Sequence, residues 1–127
     1  MSFFYIGDDA AGARVEHGDD VVILVVGGEI DYAASPQLKR RIAEHIDAGA
    51  RGLILDLSTA TFIDSTAIGV LVGAVMKLHE LGGGSLAVVC TEDNERVQQI
   101  FEIAGVDSLI ALHRTREEAV DALAMAG

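Results

Sequence analysis

Gly52-Leu53-Ile54-Leu55-Asp56-Leu57, followed by Phe62-Ile63-Asp64-Ser65-Thr66 and an uncharged stretch as far as Met76, decides the fold. The first segment is a short apolar run of the kind that forms a strand covered on both faces, which predicts a largely parallel sheet between helices. The second is a turn that closes a buried strand and opens a helix. That helix is predicted from about Ser65 to Leu81, where Gly82-Gly83-Gly84 stops it.

Toward the amino terminus, Val21 to Val26 is a β-branched run. With the weakly alternating Ala13 to His17 and the turn residues Gly18-Asp19-Asp20, it predicts a hairpin. Residues 1–12 crowd Phe3, Phe4, Tyr5 and Ile6 ahead of Gly7-Asp8-Asp9, and are expected to be an extension, either an extra edge strand or a partner contact. Ser35-Pro36 supplies an expected N-cap and first helical residue, and Leu38, Ile42 and Ile46 recur at helical spacing up to Gly49.

Toward the carboxyl terminus, Ser85 to Cys90 predicts a strand, and Val97, Ile100, Phe101 and Ala104 mark one face of a helix ending at Gly105. Leu109 to Leu112 predicts a last strand. Thr115 and Glu118 have capping-box spacing ahead of a helix lined by Ala119, Val120 and Leu123. The expected order is ββαβαβαβα. It describes a single α/β domain over residues 13–127, with a mixed, mostly parallel sheet of about five strands covered by about four helices.

Length and charge narrow the function. The chain has 127 residues, 50% of them apolar, which is enough to bury a core without disulfides or metals. Twenty acidic against nine basic side chains give a net charge of −11, which repels nucleic acid and anionic lipid and favours a protein partner with a basic face. Cys90 is the only cysteine, no signal-peptide pattern opens the chain, and no apolar run reaches the roughly 20 residues of a membrane span. A soluble, cytoplasmic protein is expected.

Thr66 to Met76 carries no charge, and Gly69 and Gly73 lie four residues apart on one helix face. Two readings stay open: close packing against the protein's own sheet, or a docking surface for another chain. Ser65 likewise has two readings. It caps the helix, or Asp64 caps it and the Ser65 hydroxyl faces solvent at the carboxyl end of a strand, where open α/β sheets place their sites. Gly28-Glu29-Ile30-Asp31 is a solvated turn or, in a mostly parallel sheet, one half of a joint acidic site with the Ser65 turn.

Catalytic patterns are not met. Ser65 sits in Ile63-Asp64-Ser65-Thr66-Ala67 and not in G-x-S-x-G, and His17, His45, His79 and His113 fall in no base motif. Metal-ligand spacing is missing, and Gly82-Gly83-Gly84 is followed by a strand where a phosphate loop needs Lys and Ser or Thr. No enzyme activity, cofactor or metal is expected. A response-regulator receiver with Asp56 as its acceptor matches in size and acidity. However, Asp19-Asp20 precede the strand that a receiver's paired acids follow, and Leu109 to Leu112 brings no Lys.

Gly28-Glu29-Ile30-Asp31, Ala34-Ser35-Pro36-Gln37-Leu38, Leu55-Asp56-Leu57 and Phe62-Ile63-Asp64-Ser65-Thr66-Ala67-Ile68-Gly69-Val70, in this order and spacing, closely resemble the STAS domain of anti-sigma factor antagonists. The likeness continues through Phe101-Glu102-Ile103-Ala104-Gly105 to Glu118-Ala119. The resemblance implies partner switching. The unmodified protein binds an anti-sigma factor that is also a serine kinase, phosphorylation at Ser65 ends the binding, and a phosphatase resets it. Asp31, Ile63, Asp64, Thr66, Ala67, Gly69 and Gly73 would then belong to the partner-binding surface. STAS domains also serve as unphosphorylated subunits of transporters and stress-signalling scaffolds, which is the alternative. Family members usually carry Gly where this chain has Ala67, whose methyl group is a candidate obstruction to docking.

Overall fold

The computed structural model describes residues 4–8 and 21–126. In chain order it holds β1 (Phe4–Asp8), β2 (Val21–Ile30), α1 (Ser35–Asp47), β3 (Gly52–Asp56), β4 (Ala60–Ile63), α2 (Ser65–Glu80), β5 (Ser85–Val89), α3 (Glu95–Ala104), β6 (Ala111–His113) and α4 (Arg116–Ala126). The expected class, a mixed and mostly parallel sheet with four helices, is the one observed. Among the described residues the sheet has six strands: β1-β2-β3-β5-β6 in spatial order, with β4 also paired to β2.

Within the residues expected to be an extra edge strand or a partner contact, β1 pairs antiparallel with β2, Phe4 with Gly28 and Asp8 with Leu24; the hairpin arm expected at Ala13 to His17 lies outside the described residues. One strand differs from expectation. Ala60–Ile63, absorbed by the sequence reading into a turn, is a short parallel partner of β2. Gly28 pairs with Ala60 and Glu29 with Phe62, so Thr61 is left over as a bulge. Gly28 takes φ 78° at this irregularity, a conformation that a residue with a Cβ adopts at a cost. The bulge puts Ile63 opposite Ile30, and the two chains leave the sheet side by side.

Alternation along the strands divides the core between the two faces. Leu53, Leu55, Leu86 and Val88 point to the face that also buries Leu38, Ile42 and Ile46 of α1, Ile68, Leu71 and Leu78 of α2, and Val97 and Phe101 of α3. Ile54, Ala87 and Val89 point to the other face, where Ala119, Val120 and Leu123 of α4 cover them. The near-continuous apolar runs of β3 and β5 follow from this double covering. Among the described residues no helix is long and apolar enough to cross a membrane.

Candidate functional site at the carboxyl ends of β2 and β4

Parallel pairing sends β2 and β4 out of the sheet at the same edge, and each is followed by the start of a helix. The Asp64 amide donates to the Ile30 carbonyl at 3.2 Å, which ties the two exits together. The joint acidic site foreseen for the Asp31 and Ser65 turns is therefore present as a juxtaposition. Both α1 and α2 aim their amino termini at it, and helix amino termini favour negative charge by roughly 0.3 to 1 kcal/mol each.

At the β4 exit, Asp64 is the N-cap, with extended backbone (φ −109°, ψ 176°) and its Oδ1 accepting from the Ala67 amide at 2.9 Å. This resolves the two readings of Ser65. It is the first helical residue, it is exposed, and among the described residues its hydroxyl has no hydrogen-bond partner. Thr66 beside it is also exposed. Nothing in the turn requires the Ser65 hydroxyl for structure.

At the β2 exit, the capping expectation fails. Ser35 is 4% exposed and lies inside α1; its Oγ donates to the Asp31 carbonyl at 3.0 Å. The residue before the helix, Ala34, makes no side-chain cap. Asp31 takes over, its Oδ1 accepting from the Ala33 and Ala34 amides at 3.1 and 3.2 Å, as aspartate does when it stabilises the backbone two residues on. Tyr32, next in the loop, is 73% exposed. Sequence reading passed over it, although an aromatic ring in a polar turn beside an acid is a signal for a contact surface.

Several expected contact residues are elsewhere. Ile63 and Ala67 are 1% and 0% exposed and belong to the core, so neither side chain offers a surface to a partner. The Ala67 methyl is turned inward and cannot obstruct docking. Gly69 and Gly73, by contrast, are exposed, and beyond the adjoining backbone of α2 itself no heavy atom of the described residues lies within 4 Å of where a Cβ would stand at either position. Close packing against the protein's own sheet is thereby excluded for them. They line a groove of about 560 Å³ between α1 and α2, with Thr66 at one end.

The neighbouring strand end is closed. Asp56, 7% exposed, accepts from the Ser58 amide at 3.0 Å, from the Ser58 hydroxyl, and from Arg116 Nε of α4 at 2.7 Å. Burial pushes its pKa up, but the Ser58 hydrogen bonds and the Arg116 guanidinium outweigh burial and hold it below the ordinary carboxylate value. A carboxylate so occupied has no geometry for accepting a phosphoryl group, which removes the receiver reading. Asn94 caps α3 and donates from Nδ2 to the Ala60 carbonyl at 2.8 Å, fixing the loop that leads into β4. Burial raises the Cys90 thiol, leaving it unreactive. Among the described residues no group of His, Cys, Asp and Glu is arranged to hold a metal.

Residues 13–119 match the model of the STAS domain. The anti-sigma-B factor antagonist of Staphylococcus aureus is 28% identical over 92 residues, which are 72% of this chain and 82% of that protein. The crystal structure of an anti-sigma factor antagonist from Mycobacterium paratuberculosis superposes with a TM-score of 0.78 at 21% identity, covering 96% of this chain and 95% of that one. The anti-sigma factor antagonist SpoIIAA in its unphosphorylated form gives a TM-score of 0.73 at 20% identity, covering 95% and 97%. The phosphorylated form of this Bacillus protein gives 0.59 at 18% identity, covering 94% and 99%.

Proposed function

The chain belongs to the STAS-domain family, and on that premise we propose that it is a cytoplasmic anti-sigma factor antagonist switched by phosphorylation of Ser65. Unmodified, it binds an anti-sigma factor that doubles as its serine kinase; phosphorylated, it lets go, and a phosphatase restores it. It works by binding and not by catalysis. The carrying observation is the division of labour in the turn: Asp64 caps α2 and leaves the Ser65 hydroxyl exposed and, among the described residues, unbonded. Support also comes from the relatives named as anti-sigma factor antagonists and from SpoIIAA, which is known in both forms.

Charge explains how such a switch acts. A phosphoryl group adds about −1.5 to −2 charges, and the α2 amino terminus tolerates it. A partner closing over the same dianion, with Asp31 and Asp64 next to it, must desolvate uncompensated charge at several kcal/mol. At about 1.4 kcal/mol per tenfold, affinity falls by about a hundredfold or more while the fold stays as it is. On this reading Asp31, Tyr32, Ser65, Thr66, Gly69 and Gly73 meet the partner, and the buried Ile63 and Ala67 hold the turn in place from below.

Intact-mass measurement after incubation with the cognate kinase and ATP tests the assignment. One added phosphate is expected, and none on Ser65→Ala. An unmodified wild-type chain, or phosphate retained by Ser65→Ala, refutes it.

A further inference from the structure

The groove between α1 and α2 is apolar along its length, lined by Ile42, Ile46, Val70 and Ala74, and the side-chain-free Gly69 and Gly73 keep it open. The chain has two lysines, and both line this groove. They bring two of the chain's nine Lys and Arg side chains to one apolar surface, which Asp47 also lines. Because α1 and α2 start from neighbouring parallel strands, they run in the same direction. Lys39, in the second turn of α1, therefore lies toward the end that Thr66 occupies, and Lys77, in the last turn of α2, lies toward the end that Asp47 occupies. Between Thr66 and Lys77 the helix rises roughly 16 Å, about three turns.

We propose that this groove seats an amphipathic helix of the anti-sigma factor, apolar along about three turns and carrying a carboxylate near each end. The inference rests on the reading of the chain as an anti-sigma factor antagonist. An amphipathic helix laid into an apolar groove is a recurring mode of recognition, and a glycine pair four residues apart allows its backbone to approach closely. Ammonium groups at opposite ends suit an elongated occupant with two acids. A single-headed amphiphile would engage one lysine and leave the other unused. An ammonium at each end of an apolar groove complements an acid near each end of the occupant, and the two pairs would fix the register of the helix. The groove also explains the reach of the switch: a dianion on Ser65, next to Thr66, stands at its Lys39 end and repels the carboxylate due there. Asp47 weakens the field at the Lys77 end, so Lys39 carries more of the effect.

Titration calorimetry of the unphosphorylated full chain with its cognate anti-sigma factor tests the proposal. Gly73→Leu adds a side chain where a Cβ meets open space, and is expected to weaken binding at least tenfold with its melting temperature unchanged or raised. Lys39→Glu is expected to cost about tenfold and Lys77→Glu less, and exchanging the facing acid of the partner helix for Lys should rescue Lys39→Glu. If Ser65→Asp abolishes binding while Gly73→Leu and Lys39→Glu bind like the wild type, the groove proposal is overturned and the antagonist reading stands. If the wild-type chain neither binds the anti-sigma factor nor accepts phosphate, both fall. Native mass spectrometry showing a retained long-chain carboxylate, lost in Gly73→Leu, would replace the helix with a small amphiphile and overturn the proposal as well.

Discussion

Asp56 and Asp64 follow one another at the carboxyl edge of the same sheet, one at the end of β3 and the other just after β4, and they do opposite things with their surroundings. Asp56 is buried and occupied on both oxygens: the amide and hydroxyl of Ser58 bond Oδ1 and the guanidinium of Arg116 bonds Oδ2, which joins β3 to α4. Asp64 spends one oxygen on the Ala67 amide and thereby relieves its neighbour Ser65 of any structural duty. A closed acid stabilises the fold, and a capping acid frees a hydroxyl. The β3 end of this edge therefore serves stability, while the β2 and β4 ends are available for binding.

That contrast predicts a separation of effects, largest at the open end. Ser65→Asp should lower affinity for the anti-sigma factor by about a hundredfold, because it places charge where an interface must be desolvated. Its melting temperature should stay at the wild-type value, since among the described residues the exposed Ser65 hydroxyl has no hydrogen bond to lose and a carboxylate suits a helix amino terminus. Calorimetry and thermal unfolding on the same sample check both halves. A loss of stability comparable to the loss of binding would break the comparison.

Asp56→Asn should do the reverse. Removing the carboxylate leaves the Arg116 cation facing an amide, and hydrogen bonds to charged groups contribute about 1.5 to 3 kcal/mol. Arg116 is 37% exposed, so solvent screening lowers the expected loss to about 1 to 2 kcal/mol, with partner affinity unchanged. The pH dependence has a definite sign. The Asp56 pKa is lower in the folded state than in the unfolded chain, so its contribution is present above the ordinary carboxylate value of about 3.9. That contribution disappears as pH falls below this value and through the folded pKa. Denaturant titrations at neutral pH and near pH 3 should therefore show a wild-type advantage over Asp56→Asn that shrinks on acidification.

The difference between the two ends also marks what the sequence could convey. The covered strands, the helix at Ser65 and the resemblance carried by Gly28 to Asp31 and Phe62 to Val70 are local patterns, and they were legible. The β4 strand was not, because four residues with one leftover Thr61 acquire their register from β2, far away in the chain. Ser35 looked like a cap because serine before proline usually is one; that Asp31 reaches forward to the Ala33 and Ala34 amides depends on how the chain leaves the sheet. Ala67 looked like an obstacle until the helix phase turned its methyl inward. The groove is the least legible element, since Lys39 and Lys77 belong to different helices and line one groove only because β2 and β4 are paired far apart in sequence.

The smallest effect probes the cap itself. Asp64→Ala removes the acceptor for the Ala67 amide and should cost about 1 kcal/mol of stability, the usual loss for an N-cap, whereas Asp64→Ser supplies a hydroxyl acceptor and should recover most of it. Ser65 cannot substitute, because as the first helical residue it lies one position too late to reach the orphan amides as a cap does. Binding separates two roles that stability alone leaves merged. If Asp64 matters only as a cap, Asp64→Ser should bind the anti-sigma factor like the wild type while Asp64→Ala binds slightly less well through fraying of the first turn. If its charge also meets the basic face of the partner, Asp64→Ser should recover stability but not affinity, and the loss should shrink as salt screens the pair. The second outcome would make Asp64 at once the residue that frees Ser65 and part of the surface that the phosphate on Ser65 shuts off.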